Sequence, residues 1–117
     1  MTVKPVPRDL RSLADLDRVI HEPARLMIVT ILSVVDEADF VFLLHQSGLS
    51  KGNLSAHMAR LEEAGYVRVN KRFRDRVPQT VYSLTEAGRE AFREYCDRVK
   101  RLVETVGEQS KDAGRGT

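Results

Sequence analysis

The sequence predicts a mainly α-helical domain with one small β-hairpin, in the order α-α-α-α-β-β-α. Two patterns and a charge distribution predict it. Apolar residues recur at helical spacings of three and four through 9–64 and again through 85–106, whereas 66–84 alternates in strand fashion about a turn. Positive charge gathers in one place: residues 50–80 hold seven Lys/Arg against three acids, residues 1–49 five against seven, and residues 81–117 seven of each. A chain of 117 residues and net charge +2 thus concentrates its cations in one segment, the electrostatic footprint of a polyanion partner.

Length and composition fit one globular domain with a modest core. The longest apolar run, 26–35, is interrupted by Thr30 and Ser33 and falls short of the roughly 18 residues that span a bilayer, so no membrane association is expected. The start, MTVKPVPRDL, has no apolar core of a secretory signal, and the single Cys96 cannot form an internal disulfide. A cytoplasmic protein is expected.

Residues 1–8, with Pro5 and Pro7, read as a flexible arm. Leu10, Leu13, Leu16, Val19 and Ile20 predict a helix over 9–20, which His21-Glu22-Pro23 ends. Pro23 suits the first turn of the next helix, where its missing N–H is not needed. That helix, 24–35, is apolar on most faces and is the central core element. The acidic stretch Asp36 to Asp39 is a turn able to cap a short helix over 40–46, with Phe40, Leu43 and Leu44 inward. Gly48 supplies a positive φ, and Ser50 caps a helix to Ala64 whose inward stripe is Leu54, Met58 (or Ala59) and Leu61; Gly65 stops it. Strands follow over 66–73 and 79–84 about a turn over 74–78. Thr85 caps a last helix, 85–106, and the Gly-containing 107–117 reads as a flexible tail.

Two helices joined by a short Gly-containing turn make a helix-turn-helix over 39–64, and the hairpin 66–84 makes a wing. The second helix of such a pair aims its N-terminal residues at the major groove. Here Lys51 can donate to guanine or phosphate, Asn53 can pair with adenine, Ser55 and His57 can reach a base or phosphate, and Ala56 can sit against a thymine methyl. Gly52 either lets backbone approach DNA or is simply tolerated in a first turn. Lys71, Arg72, Arg74 and Arg76 repel one another unless neutralised, and phosphate is the natural partner. A solvated hairpin tip is the bland alternative.

No nucleophile elbow, phosphate loop or HExxH is present, so no enzyme and no cofactor is expected. His21, His45 and His57 are scattered, and no metal site is expected. The apolar stripes at the two ends of the domain either pack on its own core or form a two-fold dimer interface. The second is expected, through Leu10, Leu13, Leu16, Phe92, Tyr95, Val99, Leu102, Val103 and Val106.

On the segments HEPARLMIVTIL, LSKGNLSAHMARLEEAGYV and RDRVPQTVYSLTEAGREAF, spanning roughly 16–95, the chain resembles winged-helix transcriptional regulators of the broad MarR/ArsR type. It is most similar to small stand-alone winged helix DNA-binding domain proteins of bacteria and archaea. The resemblance implies a homodimer on a pseudo-palindromic operator. It implies DNA-facing roles for Ser50, Asn53, Ser55, His57 and Arg60, a wing tip at Arg74 and Arg76, and a second wing strand shaped by Pro78, Thr80 and Tyr82. Lys51 and Gln79 depart from the family pattern, so an operator sequence does not transfer, and the metal-binding cysteines of ArsR-type proteins are absent. The full expected DNA-binding set is Ser50, Lys51, Asn53, Ser55, His57, Arg60, Lys71, Arg72, Arg74, Arg76, Gln79 and Thr80. The expected function is a sequence-specific double-stranded DNA-binding regulator, a homodimeric repressor acting by promoter occlusion. The alternative is a winged-helix module that binds an acidic protein surface.

Overall fold

In a computed structural model, which describes residues 12–115, a short 3-10 helix (Ser12–Asp15) precedes α1 (Pro23–Val34), β1 (Ala38–Asp39), α2 (Phe40–Ser47), α3 (Lys51–Glu63), β2 (Val67–Arg74), β3 (Val77–Leu84) and α4 (Glu86–Arg115). The strands form one antiparallel sheet in the order β1-β3-β2. The mainly helical class with a hairpin stands.

Local signals place the helix starts. Pro23 occupies the first turn of α1, and the Glu22 carboxylate caps it by accepting from the Arg25 N–H at 2.8 Å. Asp39 accepts from the Phe42 N–H at 2.7 Å, and Ser50 from the Asn53 N–H at 3.2 Å. Gly48 (φ 69°) and Gly65 (φ 79°) turn the chain at the ends of α2 and α3, in a backbone region where a Cβ is disfavoured. The Thr85 hydroxyl accepts from the Gly88 N–H at 3.0 Å and donates to the Gly65 carbonyl at 2.6 Å, tying the start of α4 to the end of α3.

Ile28, Val29 and Leu32 of α1, Leu43 of α2, the stripe Leu54, Met58 and Leu61 of α3, and Val67, Tyr82 and Leu84 of the hairpin form the main core. Although apolar on most faces, α1 is buried on one side only: Val34 is 82% exposed. Phe92 brings α4 onto this core, and a smaller cluster of Leu16, Ile20 and Tyr95 lies beside it.

Four expectations are corrected. The helix expected over 9–20 is, among the described residues, only the 3-10 helix. The Asp17 carboxylate takes the N–H groups of Val19 (2.8 Å) and Ile20 (3.2 Å), a local turn that competes with helix. Leu10 and the arm 1–8 lie outside the described residues. The acidic turn contains β1, whose Ala38 and Asp39 pair with Tyr82 and Val81; two residues carry no periodicity to read. The wing turn is two residues, Asp75 (φ 51°) and Arg76 (φ 68°), a mirror-type turn that matches strand twist. Pro78 therefore lies inside β3, opposite Phe73. In a two-residue hairpin the closing pair is hydrogen-bonded and the next pair is not, so the proline nitrogen faces away from β2 and removes no ladder bond. Finally, Gly107 does not end the last helix, which runs on to Arg115. A helical glycine lowers stability by about 1 kcal/mol relative to alanine, yet the helix continues through it.

A Cβ at Gly88 would stand 2.1 Å from the Tyr66 carbonyl oxygen, a backbone atom that the Thr85 N–H already holds at 3.0 Å. Gly88→Ala is expected to cost roughly 1–3 kcal/mol and to lower Tm by several degrees in thermal unfolding followed by circular dichroism. Separately, the Tyr66 hydroxyl donates to the Asp17 carboxylate, and that bond, with partial burial, pushes its pKa up to about 12; burial also raises Tyr82 and Tyr95. The unfolded chain ionises its tyrosines near 10, so this stabilisation is complete below pH 10 and is lost as pH rises toward 12. Absorbance at the tyrosinate band is expected to rise only above the ordinary range, with unfolding alongside. A normal titration in a folded chain would contradict the Tyr66–Asp17 bond.

Candidate nucleic-acid interface

The inward stripe of α3 fixes what the helix presents outward. At about 100° per residue, Gly52, Ala56 and Ala59 lie opposite Leu54, Met58 and Leu61. The outermost line of the helix is therefore small residues as far as Ala59 and ends in the exposed Glu63. Asn53 and Arg60 flank it on one side and Ser55 on the other, all exposed, with Lys51 and Ser50 at the N-terminal end. Backbone can approach a partner closely along the small line while the polar side chains reach past it. Arg60 contacts Glu63 at 3.4 Å, an exposed pair of little energetic weight.

His57 is placed differently from the rest of the expected set. It is half-buried at the edge of the inward stripe. Its Nδ1 lies 3.2 Å from Arg25 Nη1 and 3.6 Å from the Glu22 carboxylate. Arg25 in turn donates to the Val19 carbonyl at 2.6 Å. Partial burial pushes the Glu22 carboxyl upward, but the N–H groups of Arg25 and Ala24, with the charges of His57 and Arg25, bring it below the usual carboxylate range. Through Nδ1, His57 joins α3 to the start of α1. Its partners lie 32 and 35 positions away in sequence, and no local pattern announces them.

The wing divides its cations between two faces. Val67, Val69, Lys71 and Phe73 share the face that packs on α3 lower down, with Thr80 opposite Lys71. Arg68, Arg72 and Arg74 point to the other face, and Arg76 occupies the turn. Arg72 donates to Glu37 at 2.7 Å and to Gln79 at 3.3 Å, and Gln79 donates to Asp39 at 2.8 Å. The Phe42 N–H, then Gln79, hold the Asp39 carboxyl below its ordinary pKa. Arg72 thus meets Glu37 in an exposed pair of little energetic weight, Arg74 also lies within the field of Asp39, and Lys71 and Arg76 have no ion-pair partner among the described residues. The sequence shows the charges; the partnering depends on β1, which it does not reveal.

The residues expected at a dimer interface also divide. Leu16 and Tyr95 are buried against each other, Phe92 packs on the main core, and Leu102 is buried. Leu13, Val103 and Val106 are exposed and, with Val99, border an apolar groove of about 350 Å³ between the 3-10 helix and α4. The Tyr95 hydroxyl meets His21 Nδ1 at 2.8 Å on its rim. No helix of the described residues is long and apolar enough to cross a membrane.

A three-helix unit with a small-faced third helix and a basic hairpin matches a known family model, the winged helix DNA-binding domain, over residues 24–103. The chain belongs to that family. An uncharacterised protein of Methanocaldococcus jannaschii is 27% identical over 89 residues, covering 76% of this chain and 97% of the relative. A transcriptional regulator homologue from Pyrococcus horikoshii OT3 has a similar structure, with TM-score 0.78, 27% identity, and 86% and 98% of the two chains covered. The transcriptional repressor BigR from Xylella fastidiosa is similar at TM-score 0.56 and 29% identity, over 77% of this chain and 85% of that one. As a winged-helix protein of this family, the chain is a DNA-binding regulator by kinship.

Proposed function

We propose that this protein is a homodimeric repressor that binds a pseudo-palindromic double-stranded operator and occludes a promoter. The observation that carries the DNA reading is the outward face of α3, small along its centre from Gly52 to Ala59 and polar at its edges, beside a basic wing. In this reading α3 enters the major groove. Asn53 and Ser55 address base edges, Ser50, Lys51 and Arg60 flank them, and Lys71, Arg74 and Arg76 engage phosphate or the neighbouring minor groove, with Thr80 beside Lys71. His57 serves by holding the angle of α3. Arg72 and Gln79 shape the base of the wing through Glu37 and Asp39.

The dimer reading rests on the apolar groove. Leu13, Val103 and Val106 are 51%, 65% and 49% exposed, which leaves a continuous apolar strip along a helix that outruns its own domain. A second copy related by a two-fold axis covers that strip and sets two α3 helices on one face of the duplex. The repressor assignment leans on the similarity to the Xylella repressor. Occlusion is the mechanism that requires nothing beyond this domain.

Sites selected from a random duplex library provide the test. On the preferred site Asn53→Ala is expected to cost roughly 1–3 kcal/mol, with much less loss on random duplex. Arg76→Ala is expected to weaken both DNAs alike and to make the salt dependence shallower by about one unit. Equal losses on both DNAs for Asn53→Ala would remove it as a base reader.

Sedimentation at micromolar concentration is expected to give twice the 13.3 kDa chain mass. The double change Val103→Glu with Val106→Glu is expected to give monomers that keep the fold. With half-sites about one helical turn apart, inserting five base pairs between them should reduce binding to the nonspecific level. A wild-type monomer, or indifference to the insertion, would defeat the two-half-site arrangement.

A further inference from the structure

We infer that Phe73 at the tip of the wing is an apolar wedge that enters the minor groove beside the site read by α3 and partly unstacks a base step, so that this protein selects DNA by deformability as well as by base edges. The inference rests on the DNA-binding reading above and goes beyond it.

Phe73 is 76% exposed, an unusual place for a large aromatic ring in a small domain. It stands on the same strand face as Val67 and Val69, which pack against the core, but four residues past Val69, about 13 Å farther along β2. That reach carries the ring clear of its own protein and toward the duplex on the side where α3 lies. Pro78 is its cross-strand partner, so the edge of the tip is apolar on both strands. The two-residue turn with both residues in the left-handed region holds that edge stiffly.

The surroundings decide what the ring meets. Lys71 precedes it on the same face, Arg74 follows it, and Arg76 sits at the apex. The core of a protein–protein interface is depleted of charge; an aromatic set among cations suits a polyanion with apolar surface inside its grooves. Base steps are such a surface, and apolar side chains inserted between them kink the duplex. The cations bind phosphate on either side while the ring enters between them. Flexible pyrimidine–purine steps beneath the wing are favoured over stiff A-tracts.

The test uses the full chain and the preferred duplex, with dyes at the DNA ends to report bending and 2-aminopurine at the step beneath the wing to report unstacking. The wild type should bend the duplex and brighten the probe. Phe73→Ala should abolish both, bind about tenfold more weakly, and lose little on a duplex carrying a mismatch at that step. Phe73→Leu should retain part of the bend. The chain has no tryptophan, so Phe73→Trp places a single reporter at the tip. Its emission should shift to the blue and resist a soluble quencher once DNA is bound. Unchanged bending and affinity in Phe73→Ala, or a Phe73→Trp signal indifferent to DNA, would overturn the wedge and leave the DNA reading intact. A wild type that binds no duplex would overturn both. A Phe73→Ala change that alters self-association of the free protein but not DNA binding would assign the ring to a protein contact and overturn the wedge.

Discussion

The rotation of α3 about its own axis is set by Leu54, Met58 and Leu61, each at most 2% exposed. Burial of a side chain of this size is worth about 1.5–3 kcal/mol, so the three together far exceed the roughly 1 kcal/mol that Gly52 costs the helix. Turning α3 by one residue would expose all three and bury Asn53 or Ser55. Everything outward is a consequence: the Gly52–Ala56–Ala59 line, the polar edges, and the bracing of His57 by Arg25 and Glu22 at the margin of the buried stripe. A surface that reads a groove must hold its side chains to a fixed angle, and here the core supplies that angle.

The wing obeys a second constraint, the period of two in a strand. Charges adjacent in sequence are sent to opposite faces, so Lys71 and Arg72 leave the strand in opposite directions. On one face the β1 acids neutralise Arg72 and organise Gln79. On the other, Lys71 and Phe73 continue the line of core residues out into solvent. The wing is thus less uniformly basic than its composition implies, and more differentiated.

The N-terminal segment and α4 show how one apolar stripe serves two ends. Tyr95 and Leu16 are buried against each other and, with Phe92 on the main core, anchor α4 to its own domain. Val103 and Val106, about two to four turns farther along the same helix, are left over. The long helix therefore couples whatever covers its distal half to the domain that holds α3, through a rigid connection with no intervening loop.

The starts of α1 to α4, the capping residues Asp39, Ser50 and Thr85, the turns at Gly48 and Gly65, and the inward stripe of α3 were legible in the sequence, because each depends on residues within one or two turns. The helix-turn-helix and the wing follow from their order. The turn at Asp75-Arg76 was not legible as two residues, since it lacks the glycine that usually marks it. Nor was the helix beyond Gly107, where length rather than local signal prevails. Which charges are free was decided only in three dimensions: Arg72 meets Glu37 across 35 positions, His57 meets Arg25 across 32, and Asp17 meets Tyr66 across 49. The sequence by itself determined which elements form and which of their faces are apolar. The tertiary structure decided which polar groups remain unpaired, because pairing depends on distances between elements that local spacing does not encode.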